Sequence, residues 1–448
     1  MTTYSEFIDR KTHLGGNYGF KPTFIPDAAF DFQRSLIEWS VMKGRAAIFA
    51  DCGLGKSMME LAFAENVVRE TNQPVLILTP LAVGAQMERE ASKFGMDAVR
   101  SSDGKVKAGA RIVIANYERL HHFTASDFSG IVCDESGILK NHSGATRNAV
   151  IQFVKVIKHR LLATATPAPN DVTELGNSVE ALSIMRRVDM LSRYFVHDAS
   201  DTGNWRLKGH AVDAFWRFVA SWARAIRHPR DLGFDQPGYD LPAMNMQMHM
   251  LESAPLPGEL FPTIARGLTE QRIERRETIE ARCGKVAELA MAEDSQFVAW
   301  CSLNDESAMM GMMIPDSVEL SGADSDEEKE EKVDAFSRGQ IKTLITKPKI
   351  CSHGINWQSC HRTSFFPSHS HEQFYQAVRR FWRFGQTSPV DVHIVTTEAE
   401  SAVFNNLKRK EEESSIMFSR IVENMISHMS AEPETYNPKT PIILPSWL

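Results

Sequence analysis

The chain has 448 residues, 43% hydrophobic and 24% charged, an ordinary balance for a globular protein with room for two or three cores. Fifty basic and 57 acidic residues leave a net charge of −7, which excludes a protein that coats nucleic acid by bulk charge and confines any such contact to one face. No apolar run approaches about 18 residues, and the start, MTTYSEFIDRK, has no basic-then-apolar leader, so no membrane span and a cytoplasmic location are expected.

After an N-terminal segment, 1–23, the pattern predicts a first domain over 24–235. Short apolar runs, AAIFA (46–50), VLIL (75–78), RIVIAN (111–116), GIVCD (130–134) and RLLAT (160–164), alternate with helical stretches such as KSMMELAFAENVVRE and GATRNAVIQFVKVI. That alternation predicts an α/β fold with a mainly parallel sheet and helices on both faces. Ligands of such sheets bind beyond the carboxyl ends of the strands.

The first strand runs into ADCGLGKS (50–57), which matches G-x-x-x-x-G-K-[ST] except that Ala50 replaces the first glycine. A strand–loop–helix with Gly53 and Gly55 lets backbone N–H groups approach phosphates, and Leu54 completes the loop. Lys56 reaches the β- and γ-phosphates and Ser57 suits Mg²⁺. Asp134 and Glu135 end a later apolar strand, where two acids are costly unless a cation or ligand meets them. The pair suits Mg²⁺ binding by Asp134 and activation of the attacking water by Glu135. Lys56 with Asp134 and Glu135 points to ATP hydrolysis.

Segment 215–230, FWRFVASWARAIRHPR, mixes arginine and aromatic residues as a nucleic-acid path does. Phe215, Val219, Trp222 and Ile226 also fall at helical spacing, which favours core packing with the arginines solvated.

A connector is expected over 236–292, opening on the Pro/Gly-rich DQPGYDLP. Within it MNMQMHM (244–250) has Met at every second position, the pattern of a half-buried strand. Residues 266–292 are expected to form one charged helix.

A second domain, 293–430, repeats the alternation, with strands at 296–302, 317–320, 343–346, 363–366 and 390–396. The acidic run 325–332 reads as a solvated helix face, with Ser325 and Glu328 as a capping box and Val333 and Phe336 on its apolar edge. In QAVRRFWRFGQ (376–386), Arg380 and Arg383 share a helix face and could reach a nucleotide across a cleft as arginine fingers. Trp357 is either a base-stacking wedge or a buried core residue. Residues 431–448 read as a loosely held tail. None of the six cysteines, Cys52, Cys133, Cys283, Cys301, Cys351 and Cys360, forms a C-x-x-C pair, and reduced buried thiols are expected.

Taken in order, these segments resemble helicase superfamily two, and within it the Swi/Snf-like ATPases. FQRSLIEWSVMKGRAAIFADCGLGKS is similar to a glutamine motif followed by the family's phosphate loop. VLILTPLAVGAQMEREASKF, IVIANYERL, IVCDESGILKN and HRLLATATPAPND resemble the next motifs. KICSHGINWQSCHRTSFF and YQAVRRFWRFGQTSPVDVHIVTT resemble the last two. TATPAPNDVTELGN, WRLKGHAVDAFW and PSHSHEQFYQAVRRFWRFGQ look most like the short helicases of this type encoded by bacteriophages.

The resemblance implies two RecA-like domains with ATP in the cleft between them, ATP and Mg²⁺ as cofactors, and duplex DNA as partner. It further implies that Gln33, with Phe30 or Phe32 nearby, reads the adenine edge, and that Gly354 lies beside the nucleotide. Thr79, Asn116, Thr164, Thr166, Asn356 and Trp357 would serve coupling or DNA contact. Where the family has D-E-A-H, this chain has D-E-S-G, so Ser136 and Gly137 replace residues tied to coupling. Trp382 stands where a polar residue is usual between the arginines. The activity implied is DNA-dependent ATP hydrolysis driving translocation along duplex DNA. Strand separation, RNA as the stimulating polymer, and an ATP-switched binding module with little hydrolysis are the alternatives.

Overall fold

The computed structural model describes residues 16–80, 83–106, 109–140, 145–168, 171–198, 201–252, 268–350, 356–367, 371–398 and 401–430. Gly354, Cys351 and the tail 431–448 lie outside the described residues.

The first sheet holds β1 (Arg45–Ala50), β2 (Val75–Thr79), β3 (Ala98–Arg100), β4 (Ile112–Asn116), β5 (Gly130–Cys133), β6 (His159–Ala163) and, after the hairpin β7 (Phe195–Asp198) and β8 (Asp201–Leu207), β9 (Ala223–Ile226). Its order is β3-β4-β2-β5-β6-β1-β9, and every pairing is parallel. The apolar runs are continuous because both faces are covered. Ala47, Phe49, Leu76 and Leu78 pack into one core layer, and Ala46, Ile48, Val75 and Ile77 into the other. All strands point the same way, so Ala50, Thr79, Asn116, Cys133 and Ala163 end along one edge.

The second sheet contains β10 (Met244–Leu251), β11 (Phe297–Trp300), β12 (Ser317–Leu320), β13 (Thr343–Thr346), β14 (Arg362–Phe365) and β15 (Val390–Thr397) in the order β10-β15-β14-β11-β13-β12, again parallel. The fold is therefore α/β with two parallel sheets, each flanked by helices on both faces. From β15 the chain enters helix Ser401–Ser430, whose Met417, Phe418 and Ile421 pack into the first sheet's core with Phe215 and Trp222. Each such side chain contributes about 1.5–3 kcal/mol by burial.

Three local expectations change, and one open alternative is decided. Residues 215–226 are not one helix: helix Val212–Ala220 stops and β9 follows. Phe215, Val219, Trp222 and Ile226 are all core, but the last two are buried from a turn and a strand. Three arginines of this segment are engaged within the fold. Arg224 lies over Trp39 at 4.3 Å, Arg227 over Phe418 at 4.4 Å, and Arg230 pairs with Asp240 at 2.8 Å.

The methionine strand forms, but it is not half-buried. It lies at the edge of its sheet, and Met246, Met248 and Met250 are exposed along with Asn245 and Gln247.

The helix expected over 266–292 breaks at Thr278 into Leu268–Glu277 and Ile279–Met291. The second piece carries Arg282 into the core, fully buried against Glu306 at 2.9 Å.

Trp357 takes its buried alternative. It is inaccessible to solvent among Trp300, Phe336 and Phe381, which leaves no face for a base. The capping box at Ser325 and Glu328 is present, with Phe336 buried below it.

Candidate active site

The phosphate-type loop starts where β1 ends. Gly53 and Gly55 have φ of +89° and +82°, a left-handed backbone that favours glycine, and Gly55 caps helix Lys56–Thr71. The first turn of that helix therefore presents free N–H groups toward the strand ends, the usual setting for an anion. Leu54 is a buried anchor, Ser57 is half-buried, and Lys56 Nζ donates to the Ala50 carbonyl at 3.1 Å.

Gln33 lies beneath this loop. Its Nε2 donates to the Leu54 carbonyl at 2.9 Å, and its Oε1 accepts from the Phe30 amide at 2.9 Å. It thus caps helix Asp31–Lys43 and braces the loop with one side chain. A methyl group at Gly55 would collide with it. Phe30 and Phe32 join Tyr239 and Phe384 in an aromatic cluster beside it.

Asp134 and Glu135 leave β5 along the same edge. Asp134 is buried, and the Tyr117 hydroxyl donates to its carbonyl at 2.7 Å. Burial and then the Glu135 charge raise the Asp134 carboxyl to about 7, although Lys56 pulls the other way. Glu60, one turn into the loop helix, is buried against the Asp134 carboxyl. Burial and then Asp134 push its proton affinity well up. Burial works to lower the Lys56 ammonium, but Cys52 and the acids Glu135, Asp134 and Glu60 outweigh it and raise it. Three carboxyl groups around one lysine leave the pocket short of positive charge.

That shortage fits a hard divalent cation. Among the described residues no three His, Cys, Asp or Glu side chains converge to hold a metal alone. Mg²⁺ commonly takes one or two protein oxygens and completes its shell with substrate phosphates and water, so Ser57 and Asp134 suit it.

Glu135 adopts φ of +46°, uncommon for a residue with a long side chain. Its carboxylate accepts the Thr164 hydroxyl at 3.3 Å, and that hydroxyl also accepts the Thr166 amide at 3.1 Å. Strain at a side chain so held marks functional loops more often than framework. Thr79 is buried and donates to the Pro80 carbonyl at 3.0 Å, Asn116 is half-buried in the strand pairing with Thr79, and Asn356 is exposed in the second unit.

The second unit meets the loop through the segment after helix His371–Val378. A methyl group on Gly53 would come 2.9 Å from the Phe384 amide nitrogen and 3.3 Å from Cβ of Arg383. Arg383 therefore lies against the loop. Burial lowers its proton affinity, opposed by Cys52 and Glu90. Arg380 is buried on the same segment, and its carbonyl accepts the Trp357 amide at 3.1 Å.

Three contributors escaped sequence reasoning: Asp51, Tyr375 and Arg379. The Asp51 carboxylate accepts from the Cys52 amide at 2.6 Å, from the Tyr375 hydroxyl at 2.5 Å and from the Arg379 guanidinium at 2.5 Å. The signal was available in part. Asp51 is an acid at the end of a buried strand, the same costly placement as Asp134.

Residues 32–186 match the family model described as the SNF2-related domain. A protein of Bacillus subtilis (strain 168) named an uncharacterized ATP-dependent helicase, YqhH, is 30% identical over 172 residues, 36% of this chain and 30% of that protein. The CHD3-type chromatin-remodeling factor CHR7 of Arabidopsis thaliana is 25% identical over 185 residues, 35% of this chain and 15% of its own length. The bovine SWI/SNF-related matrix-associated actin-dependent regulator of chromatin subfamily A-like protein 1 is 26% identical over 166 residues, 34% of this chain and 17% of its own. The match thus spans less than a third of each relative. Among solved structures, the Sulfolobus solfataricus SWI2/SNF2 ATPase core in complex with dsDNA aligns over 92% of this chain and 97% of its own at 18% identity, with a TM-score of 0.44.

Proposed function

From an SNF2-related domain over residues 32–186, we propose that this chain hydrolyses ATP between its two units and uses the cycle to move along duplex DNA. The observation that carries this reading is the contact of Arg383 and Phe384 with Gly53, which joins an arginine segment of the second unit to a phosphate-type loop of the first. The naming of the Bacillus subtilis relative as an ATP-dependent helicase supports the same chemistry.

In this reading the loop N–H groups and Lys56 hold the triphosphate, and Ser57 and Asp134 hold Mg²⁺. Bound there, Mg²⁺ neutralises charge on the β- and γ-phosphates. Glu135, aimed by Thr164, takes the proton of the attacking water. Arg383 and Arg380 complete the site from the second unit, where an arginine finger can contribute about 10³–10⁵ in rate. ATP then favours approach of the two units because it gains contacts with both only when they are together, and hydrolysis removes that bias. Thr79, Asn116, Thr164, Thr166 and Asn356 are proposed to pass this change to the DNA. Trp357 acts by packing, since it is buried. Gln33 positions the loop as well as facing the base. Domains at 24–235 and 293–430, with 236–292 connecting them, are the proposed working units, with two amendments: β10 (Met244–Leu251) belongs to the second sheet rather than to a connector, and helix Ser401–Ser430 packs on the core of the first. The resemblance of TATPAPNDVTELGN to phage-encoded helicases suggests a cytoplasmic role in phage DNA replication, recombination or repair.

Phosphate release with duplex DNA, single-stranded DNA or RNA, compared between the wild type and Glu135→Gln, tests the proposal. Strong stimulation by duplex and an inactive variant that still binds ATP are expected. Absence of duplex-stimulated release in the wild type would overturn it. Triplex displacement without unwinding of a forked duplex separates translocation from strand separation.

A further inference from the structure

Sequence positions 375–386 carry three arginines, and the proposed fingers use two of them. Arg379, the third, binds Asp51. Its Nη2 lies 2.5 Å from Asp51 Oδ2, with the two side chains 13% and 4% exposed, so the pair is largely buried at the edge of a cleft. Tyr375, one helical turn earlier, donates to the other carboxylate oxygen of Asp51 at 2.5 Å. Asp51 also accepts the amide of Cys52, its neighbour in the loop. One carboxylate therefore joins the backbone of the loop to two side chains of the second unit.

Trp382 steadies the same arginine. The Arg379 guanidinium lies 4.4 Å from the Trp382 ring centre, and the Trp382 indole N–H donates to the Pro242 carbonyl at 2.6 Å. This gives the tryptophan between Arg380 and Arg383 a physical role. A cleft of about 460 Å³ opens above the pair, lined by Asp51, Tyr239, Tyr375, Arg379 and Trp382.

We propose that Arg379 and Tyr375 are positioning residues that grip Asp51 and so set where Arg380 and Arg383 stand relative to the phosphate loop. They act through Asp51 by fixing the segment that carries the fingers. Arg379 and Arg380 are consecutive, so a shift of the first moves the second. The inference rests on the ATPase reading for its kinetic arm only.

The test uses the full chain as wild type, Asp51→Asn, Arg379→Gln, Tyr375→Phe and the Asp51→Asn/Arg379→Gln double variant. Hydrogen exchange without nucleotide should rise in 50–57 and 375–386 for Asp51→Asn and Arg379→Gln, while β2, β5, β11 and β14 stay as protected as in the wild type. Phosphate release should fall about tenfold in kcat for either charge variant, with KM for ATP within about threefold, and the double variant should be no slower than the worse single one. Tyr375→Phe should show the same pattern more weakly. Multiplying losses in the double variant, wild-type exchange at both segments in Arg379→Gln, or exchange rising equally in the sheet strands would each overturn the link. If the wild type releases no phosphate, the ATPase reading fails, while the exchange measurement still decides whether Asp51 ties the units together.

Discussion

Thr164, at the end of β6, donates its hydroxyl to the Glu135 carboxylate at the end of the neighbouring strand β5, across 3.3 Å. The contact aims a side chain whose backbone is held at φ of +46°. Position and strain at Glu135 therefore separate two effects of substitution. Glu135→Gln should lower phosphate release by about 10²–10⁴ while binding of a fluorescent ATP analogue persists. Glu135→Asn should be as inactive yet more stable to unfolding than Glu135→Gln, by about 0.5–1 kcal/mol, because Asn tolerates the left-handed region better. Calorimetry on the two variants checks this, and an Asn variant less stable than the Gln variant would refute the strain argument.

Gly53 has its own signature. Its φ of +89° strains any side chain, and a methyl group there meets the Phe384 amide and Arg383. Gly53→Ala should slow phosphate release at least tenfold, at the level of kcat, by holding the second unit away from the loop. Gly284 is the control. It sits inside helix Ile279–Met291, and a methyl group added there would meet nothing within 4 Å. Gly284→Ala should leave activity alone and add about 0.5–1 kcal/mol of stability in denaturant titration.

The Arg282–Glu306 pair is fully buried, and Glu306 also accepts from the Ser302 and Leu303 amides at 2.8 and 2.9 Å. Removing the cation leaves a carboxylate with no neutralising partner in a dry core. Arg282→Met should cost about 3–5 kcal/mol of unfolding free energy. Arg282→Met/Glu306→Gln should recover part of it, and an additive double variant would show that packing alone was lost.

His159 predicts a pH dependence. It is buried beside Phe20, and burial, followed by Lys158 and Arg45, lowers its imidazole to about 4 from 6.5. The folded chain therefore keeps it neutral where the unfolded chain protonates it. Its contribution is intact above pH 6.5 and is lost as pH falls toward 4. The fall from 6.5 to about 4 corresponds to at most about 3.4 kcal/mol. His159→Gln should flatten the wild-type loss of melting temperature between pH 6.5 and 4. Parallel profiles would show that other groups dominate.

Much of the architecture was legible in local pattern. Runs such as VLIL and RIVIAN are apolar at every position because both faces of each sheet are covered, and this holds wherever such a strand falls in the order. The glycines at 53 and 55 and the paired acids at 134 and 135 were visible for a similar reason: their backbone geometry and desolvation cost belong to the residues themselves. Pattern misled where two periods coincided. Phe215, Val219, Trp222 and Ile226 are spaced as on a helix, but a turn and β9 bury the last two equally well. MNMQMHM alternates correctly as a strand, yet alternation cannot tell an edge strand from one with a covered face.

The order of the amino acids was enough to specify the kind of each element and the chemistry of the loops that follow the strands, because periodicity and backbone preference act over a few residues. Packing in three dimensions was needed to show that Arg379 holds Asp51, 328 residues away, that Gln33 is drawn onto Leu54, and that Trp357 is buried rather than facing a nucleic acid. Those outcomes depend on which polar groups two separately formed surfaces bring into contact and remove from water. No local pattern encodes that pairing.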